Sequence, residues 1–342
     1  MDSTPDLYQS LPKVELHRHL EGSLRLGTML EIARSTGITV PVSTGPLSNL
    51  VQMHDGEPFT YKNFLAKFNT LRLFYRSPEV IHRVTREAVE DAARDNVRYL
   101  ELRFTPVALS RAERFPLGDV MDWVCESAAL AAKEFGIQVR LIASVNRHES
   151  VELAEQVAWL AADHLSRGLV GLDLAGNEAE FSAMPFLAVF KEAHQAGLML
   201  TVHAGEWAGA DNVAEAIETL NADRIGHGVR VLEDLNVIDL ARACNTPFEV
   251  CVTSNVQTGA VSSLAGHQVM KMLKFGLNVI IGTDDPSISQ ITLSDEYRRV
   301  CQELGMDLAT LKERILAAAQ ASFLPEGERL ALTAQLRQEL GI

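Results

Sequence analysis

Cysteine is scarce and scattered in this 342-residue chain. The chain has four cysteines, and no two of them have Cys-x-x-Cys spacing: Cys125, Cys244, Cys251 and Cys301. Thiolate zinc sites normally show such closely spaced pairs. The spacing therefore gives no indication of a cysteine metal site, and we expect buried, reduced thiols.

Positive charge and long apolar runs are also limited. The chain has 31 Lys and Arg against 45 Asp and Glu, whereas a sequence-independent nucleic-acid binder needs a basic surface. No apolar run approaches the roughly 20 residues of a membrane helix. Residues 1–10 are polar and do not have the basic and apolar regions of a signal peptide. We expect a cytoplasmic protein that binds neither nucleic acid nor membrane.

The chain does contain a recurring order of strand and helix. Strands are predicted at 13–22, 97–104, 138–145, 169–175, 198–204, 224–228, 248–252 and 277–283. They are rich in Val, Ile and Leu and alternate with helical segments, which predicts a parallel sheet buried on both faces.

Eight such units predict an α/β fold, a (β/α)₈ TIM barrel, as one domain over residues 1–342. Additional helices are predicted after the first strand and over residues 293–342. Residues 38–60 contain several prolines and glycines. We predict that this segment is a loop over the mouth of the barrel.

The first predicted strand carries a His-x-His pair. Because side chains alternate along a strand, His17 and His19 should share one face with Glu15 and Glu21. Two imidazoles on one face can reach the same metal ion, and neutral imidazole suits zinc. Taken alone, the pair is weak evidence for a metal site, because two polar residues at the end of a strand are the more common explanation.

More polar residues follow the later predicted strands. His203 and Glu206 lie at the end of the fifth strand, His227 lies in the sixth, and Asp284 and Asp285 lie at the end of the eighth. Active sites of (β/α)₈ barrels gather at the carboxyl ends of the strands. So many ionisable residues at one end of a barrel are difficult to explain by packing, and they predict a catalytic metal site.

Several segments resemble the adenosine deaminase family of the amidohydrolase superfamily. They occur in the family's order and cover nearly the whole chain: residues 11–22, 173–178, 203–206, 224–228, 253–259 and 283–286. The resemblance implies hydrolytic deamination of a 6-aminopurine nucleoside. Adenosine, converted with water to inosine and ammonia, is the expected substrate.

The resemblance also implies one zinc ion per chain, with a water completing its coordination. The implied ligands are His17, His19, His203 and Asp284. Many related hydrolases bridge two metals with a lysine that follows the fourth strand. Here residues 173–176 at that position contain no lysine, which favours a single metal.

Catalytic roles follow from the same resemblance. Glu206 is similar to the acid that protonates purine N1, and such an acid needs a pKa raised by burial. His227 is similar to the general base, and Asp285 to the residue that orients the water and the substrate. The Gly176 backbone N–H is similar to the donor for purine N3.

The resemblance also implies residues that contact the substrate, and one of them departs from the family's pattern. His19 and Asp285 should also touch the substrate, whereas Phe64 and Phe68 either line its pocket or belong to the core. Adenosine-specific family members commonly have Asp, which holds the ribose 5′-hydroxyl, where this chain has Glu21. Adenine, or a 5′-modified nucleoside such as aminodeoxyfutalosine, therefore remains an alternative substrate.

The sequence also bears on the binding partner and on whether the protein is an enzyme. The expected partner is a small purine nucleoside or base, and a homo-oligomer is compatible with the sequence. A catalytically inactive binding protein is the alternative class. Such a protein should have lost a metal ligand or Glu206, and this chain retains them all.

Overall fold

The computed structural model describes residues 6–342 of the chain. Its centre is a parallel eight-stranded sheet in which each strand pairs with the next along the chain. The strands are β1 (Lys13–His19), β2 (Val97–Phe104), β3 (Gln138–Asn146), β4 (Leu169–Ala175), β5 (Met199–Ala204), β6 (Arg224–His227), β7 (Pro247–Val250) and β8 (Asn278–Ile281).

The sheet closes between β1 and the residues that follow β8. Arg18 and Asp284 form a parallel bridge. The His19 backbone N–H donates to the Asp284 carbonyl at 2.8 Å, and the Asp284 N–H donates to the His17 carbonyl at 2.9 Å. The (β/α)₈ prediction is confirmed, and the closure brings Asp284 beside both histidines of β1.

Helices surround the sheet and fill the longer connections. They are α1 (Leu7–Ser10), α2 (Leu26–Thr36), α3 (Thr44–Val51), α4 (Tyr61–Leu71), α5 (Pro78–Arg94), α6 (Pro106–Ser110), α7 (Leu117–Phe135), α8 (Val151–Asp163), α9 (Leu187–Gln195), α10 (Ala210–Glu218), α11 (Leu235–Ala243), α12 (Val252–Gln257), α13 (Val269–Lys274), α14 (Pro286–Ser289), α15 (Leu293–Gln302), α16 (Leu308–Gln320) and α17 (Glu326–Leu340). The additional helices predicted after the first strand and near the C-terminus are confirmed.

Local sequence signals explain where helix α5 begins and which face it buries. The Ser77 side chain accepts a hydrogen bond from the Val80 N–H, and Pro78 occupies the first turn, where its missing N–H costs nothing. Ile81, Val84 and Ala88 recur at helical spacing and are fully or almost fully buried. This apolar face packs α5 against α7 and β2.

The predicted loop over residues 38–60 is wrong in part, because α3 lies within it. Leu47 and Val51 on α3 are fully buried. Just after the helix, the Gln52 side-chain amide donates to the Ser287 carbonyl at 2.9 Å, next to the barrel mouth. The prolines misled the prediction because Pro46 falls in the first turn, where a helix tolerates it.

The predicted face of β1 is also wrong for Glu15. The pairing of β1 with β2 shifts between Glu15 and Arg18, so β1 has one extra residue there. Such a bulge breaks strict alternation. The Glu15 carboxylate accepts from Arg18 at 3.4 Å, and it is not part of the histidine cluster.

The barrel interior contains a buried network of charges centred on Glu249. Its carboxylate accepts hydrogen bonds from Arg103 at 2.8 Å and from Arg224 at 2.5 Å, and lies 2.7 Å from Nδ1 of His17. All four side chains are buried. Burial alone would raise the pKa of Glu249, but the two arginines lower it well below its usual range.

Within residues 6–342, no helix is long and apolar enough to cross a membrane.

We predict that Glu249→Gln strongly destabilises the barrel. The substitution leaves two buried arginines without their shared anion, and breaking a buried ion pair costs about 3–5 kcal/mol. Urea unfolding with a chelator present in all samples measures this loss without a contribution from metal binding. Asp239→Asn is the control, because Asp239 pairs with Arg242 at an exposed position. Equal stability of the two variants would contradict the prediction.

Candidate functional site

Four side chains that are supplied by β1, by β5 and by the segment after β8 converge at the carboxyl end of the barrel. One nitrogen or oxygen from each lies within 4.8 Å of those of the others: His17, His19, His203 and Asp284. Nε2 of His17 lies 3.2 Å from the Asp284 carboxylate, and Nε2 of His19 lies 3.3 Å from it. The structure therefore brings together the residues predicted as metal ligands.

The chemistry of this group fits a divalent metal ion. Nε2 of His17 is buried and has no hydrogen-bond partner among the described residues. Three imidazoles and one carboxylate are a donor set typical of catalytic zinc. An inward-facing imidazole nitrogen without a partner is what a metal ligand requires, so these residues could hold the ion.

Hydrogen bonds behind the cluster orient its members. Nδ1 of His17 contacts Glu249, and Nδ1 of His203 lies 2.9 Å from the Asp173 carboxylate. The Ser254 hydroxyl donates to Asp284 at 2.6 Å. Carboxylates that accept the second N–H of a ligating histidine are usual at metal sites.

Sequence reasoning assigned no role to these supporting residues. Asp173 lay in a recognised segment, and Glu249 and Asp173 are charged residues inside strands that are otherwise apolar. A charge within a buried strand was the available signal, because it must find a partner inside the barrel. Nothing in the sequence indicated that the partners would be metal ligands.

Two site residues adopt a backbone conformation that non-glycine residues rarely use. His227 has φ +62° and Asp284 has φ +64°. Such conformations cost on the order of 1–3 kcal/mol each and concentrate at functional sites. The backbone bonds between β1 and Asp284 help to hold the second of them.

The predicted catalytic residues lie beside the cluster. Nε2 of His227 is 3.6 Å from the Glu206 carboxylate and 4.0 Å from that of Asp284. The Thr258 hydroxyl donates to Glu206 at 3.1 Å, and the Asn255 side-chain amide lies 3.1 Å from Nδ1 of His227. Thr258 and Asn255 thus orient the two catalytic candidates.

Electrostatics at the site favour protonated carboxyl groups. Burial, followed by the negative charges of Asp284 and Glu178, raises the pKa of Glu206 well above its usual range. Burial and the neighbouring Asp284 also raise the pKa of Asp285. Burial lowers the pKa of His227 well below that of a free imidazole. The cavity therefore contains carboxyl groups that hold a proton more tightly than usual and an imidazole that holds one less tightly than usual.

A cavity opens from the cluster towards solvent. Its lining includes all of the residues predicted to contact the substrate or to act in catalysis. These are His19, Glu21, Phe64, Phe68, Gly176, Glu206, His227 and Asp285, and the metal ligand Asp284 also lines the cavity. Phe64 is only 2% exposed and also belongs to the hydrophobic core. Phe64 therefore lines this cavity and also belongs to the core, and its contact with a substrate stays a prediction.

Several polar groups of this cavity have no hydrogen-bond partner among the described residues. These buried atoms are Oε2 of Glu21, Nε of Arg72, Nδ2 of Asn146, Nε1 of Trp207 and Oδ1 of Asp285. Buried polar atoms are normally satisfied, so this set suits a polar ligand. Sequence reasoning missed Arg72, Asn146 and Trp207; of these, only Asn146 had a signal, its position at the end of β3.

Comparison with known proteins identifies the family. Residues 12–339 match the family model described as Adenosine deaminase. The adenosine deaminase of Salmonella dublin is 35% identical over 326 residues, which cover 94% of this chain and 97% of that protein. This chain belongs to the adenosine deaminase family. It is a hydrolase that acts on C–N bonds and deaminates adenine-type substrates.

Two solved structures have the same fold as this chain. The adenine deaminase of Arthrobacter aurescens has a TM-score of 0.88 and 26% identity, covering 97% of this chain and 100% of that one. An amidohydrolase from Burkholderia ambifaria with bound Zn has a TM-score of 0.90 and 24% identity, covering 100% and 94%. At 24% identity, the similarity to the Burkholderia amidohydrolase shows a shared fold and nothing more.

We predict that Asp173→Asn weakens metal binding by this adenosine deaminase family member. The amide cannot offer His203 the full charge of the carboxylate, and loss of such a supporting group costs about 10–100-fold in metal affinity. Competition with a chromophoric chelator measures the affinity. Asp223→Asn is the control, because its carboxylate accepts from the Leu200 backbone N–H without touching the cluster. Unchanged affinity in Asp173→Asn would disprove this role.

Proposed function

We propose that the protein is a zinc-dependent deaminase of a 6-aminopurine nucleoside, with adenosine as the first candidate substrate. One observation carries the proposal: Glu206, a buried carboxyl group with a raised pKa, lies in the same cavity as the three-histidine, one-aspartate cluster. One zinc ion per chain would be held by His17, His19, His203 and Asp284. When bound, zinc makes hydroxide available near neutral pH, because it lowers the pKa of a coordinated water.

Glu206 acts as the general acid in this mechanism. As C6 of the purine becomes tetrahedral, N1 must gain a proton, and a carboxyl group that remains protonated near neutral pH can donate it. The Thr258 hydroxyl holds one oxygen of Glu206 at 3.1 Å. This contact leaves the other oxygen, which faces His227, to serve the reaction.

His227 and Asp285 act on the attacking water, the first as its general base and the second by orienting it. Burial keeps His227 neutral, so Nε2 can accept a proton when Nδ1 carries the ring hydrogen. In the structure Nδ2 of Asn255 lies 3.1 Å from Nδ1 of His227, and a 180° turn of the amide about its side-chain bond places the oxygen there instead, where it accepts the Nδ1 hydrogen. Within residues 6–342, one oxygen of Asp285 in the cavity has no hydrogen-bond partner, and Asp285 orients the water and the purine. Ammonia then leaves from C6, and adenosine plus water yields inosine.

Gly176 places a backbone N–H against the purine. It has φ +92° and lies at the cavity wall after β4. A Cβ atom there would lie 3.2 Å from the Arg147 backbone nitrogen. A glycine at this point lets the main chain approach a planar ring closely, which supports its role as donor to purine N3.

The direct test of the proposed function is an assay of the purified, zinc-loaded protein. Adenosine, deoxyadenosine, adenine and aminodeoxyfutalosine are each incubated with it, and ammonia release and the 6-oxopurine product are measured. Deamination of adenosine with the highest kcat/KM supports the first candidate. Failure to deaminate any of the four compounds would contradict the proposed function.

We predict that Glu206→Gln folds and binds zinc but loses most of its turnover. Glutamine has nearly the same shape and can still accept from Thr258, but it cannot deliver a carboxyl proton. General acid–base catalysis is worth roughly 10²–10⁴-fold. Steady-state kcat and zinc content are measured on the same preparation, and near-normal kcat would refute the acid assignment.

A second substrate candidate, a nucleoside with an anionic group at its 5′ position, is favoured by Arg72. Arg72 lines the same cavity as Glu21, and its Nε has no partner among residues 6–342. Among charged groups, Glu21 has the largest effect on the pKa of Arg72, which it raises against the effect of burial. Oε1 of Glu21 already accepts from the Thr105 N–H at 2.6 Å. A largely buried guanidinium suits a substrate carboxylate or phosphate.

We predict that Glu21→Ala changes substrate choice and leaves zinc content intact. Glu21 follows the ligands of β1, and its Oε2 in the cavity has no hydrogen-bond partner in the described part of the chain. A hydrogen bond from a sugar hydroxyl to a charged group contributes about 1.5–3 kcal/mol. The order of kcat/KM among adenosine, adenine and 5′-modified nucleosides should therefore change.

The control for this experiment is Glu180→Ala, because Glu180 lies on the exposed surface near Tyr61. This variant should keep the wild-type order of substrates. If Glu21→Ala lowers kcat/KM for every substrate by one common factor, Glu21 does not set selectivity.

A further inference from the structure

Glu178 is a buried carboxylate that takes no part in the proposed catalytic steps. It lies in the loop after β4 and is 5% exposed. This loop faces the turn that joins β5 to α10, and that turn carries Glu206. Among the described residues, Glu178 has no arginine, lysine or histidine within ion-pair distance, so backbone and amide groups must satisfy its charge.

The carboxylate accepts hydrogen bonds from that turn on both oxygens. Four consecutive backbone N–H groups and one side-chain amide donate to it: Gly205 at 2.9 Å, Glu206 at 2.5 Å, Trp207 at 2.6 Å, Ala208 at 3.1 Å and Nδ2 of Asn212 at 3.2 Å. Successive N–H groups that converge in this way form an anion-binding concavity. Here the anion is a side chain of the protein itself.

The turn is tight and depends on this anion. Gly205 has φ +67°, and a Cβ there would lie 2.4 Å from a methyl carbon of Val213. The chain has left β5 and has not yet entered α10, so neither element satisfies these N–H groups. Buried N–H groups without partners are costly, and bonds to a charged acceptor are about twice as strong as neutral ones.

We propose that Glu178 is the positioning residue for the acid Glu206. This inference rests on the proposed function. Thr258 holds only the tip of the Glu206 side chain, whereas Glu178 holds the main chain of Glu206 and of its neighbours on both sides. The placement of the acid relative to the purine is therefore set by a residue on a different loop.

The negative charge of Glu178 has a second effect on the same residue. After burial and Asp284, it is one of the groups that raise the pKa of Glu206. One carboxylate thus fixes where the acid lies and helps it to retain its proton. Glutamine at position 178 removes the charge and keeps only one acceptor oxygen, so N–H groups of the turn lose their partner and Glu206 loses a neighbouring negative charge.

The first experiment compares Glu178→Gln with wild type in the zinc-loaded protein. A displacement of about 1 Å at a catalytic group can cost on the order of 10²-fold in rate. We expect kcat to fall by about that factor, with little change in KM, in zinc content or in the affinity for inosine. Asp223→Asn is the matched control, because this carboxylate also accepts a backbone N–H but lies at the opposite end of β5.

The second experiment is a double-mutant cycle with Glu206→Gln. If Glu178 acts through the acid, Glu178→Gln should cause no further loss of kcat once Glu206 can no longer donate a proton. A merely structural role would give the same fold-loss in both backgrounds, and that result would overturn the proposal. Unchanged kcat in Glu178→Gln alone would overturn it as well.

A milder variant covers the case in which Glu178→Gln does not fold. Asn212→Ala removes one of the five donors from a half-buried position. It should lower kcat several-fold in the wild-type background and not in Glu206→Gln; an equal effect in both would overturn the proposal. A folded, zinc-loaded wild type that deaminates no purine would instead disprove the proposed function, so the two failures are distinguishable.

Discussion

The buried carboxylate of Glu249 connects the barrel to its site. It lies on β7 and bonds Arg103 on β2, Arg224 on β6 and His17 on β1. An unpaired charge inside a protein is very costly, whereas a paired and hydrogen-bonded one is tolerated. Four strands must therefore keep their positions for the barrel to fold. The same requirement orients His17, so the stability of the fold and the geometry of the metal cluster depend on one group.

The remaining site residues are held by contacts between loops that are distant in sequence. Asp284 reaches the cluster in a strained conformation supported by backbone bonds to β1. Glu206 is held by Glu178 through its main chain and by Thr258 through its carboxyl group. In the proposed mechanism, rigid placement of this kind lets Glu206 and the metal ligands act on one substrate without reorganisation.

The fold and the metal cluster could be predicted from the sequence because both leave local signals. Alternating strands and helices indicate the barrel, and strand ends indicate His203, His227 and Asp284. The face of Glu15 could not be predicted, because a bulge in β1 depends on pairing with β2. Helix α3 was missed because Pro46 in a first turn resembles a loop. Arg72 was missed because its position in the cavity depends on long-range packing.

Under the proposed function, hydrolytic deamination requires one zinc ion held by His17, His19, His203 and Asp284. Titration of metal-free protein with zinc, followed by ammonia release from adenosine or the best of the tested substrates, tests it most directly. We expect no activity without metal. Activity should increase linearly with added zinc and level off at one zinc ion per chain. Activity without added metal after zinc has been removed, or a rise that stops only at two zinc ions per chain, would contradict it.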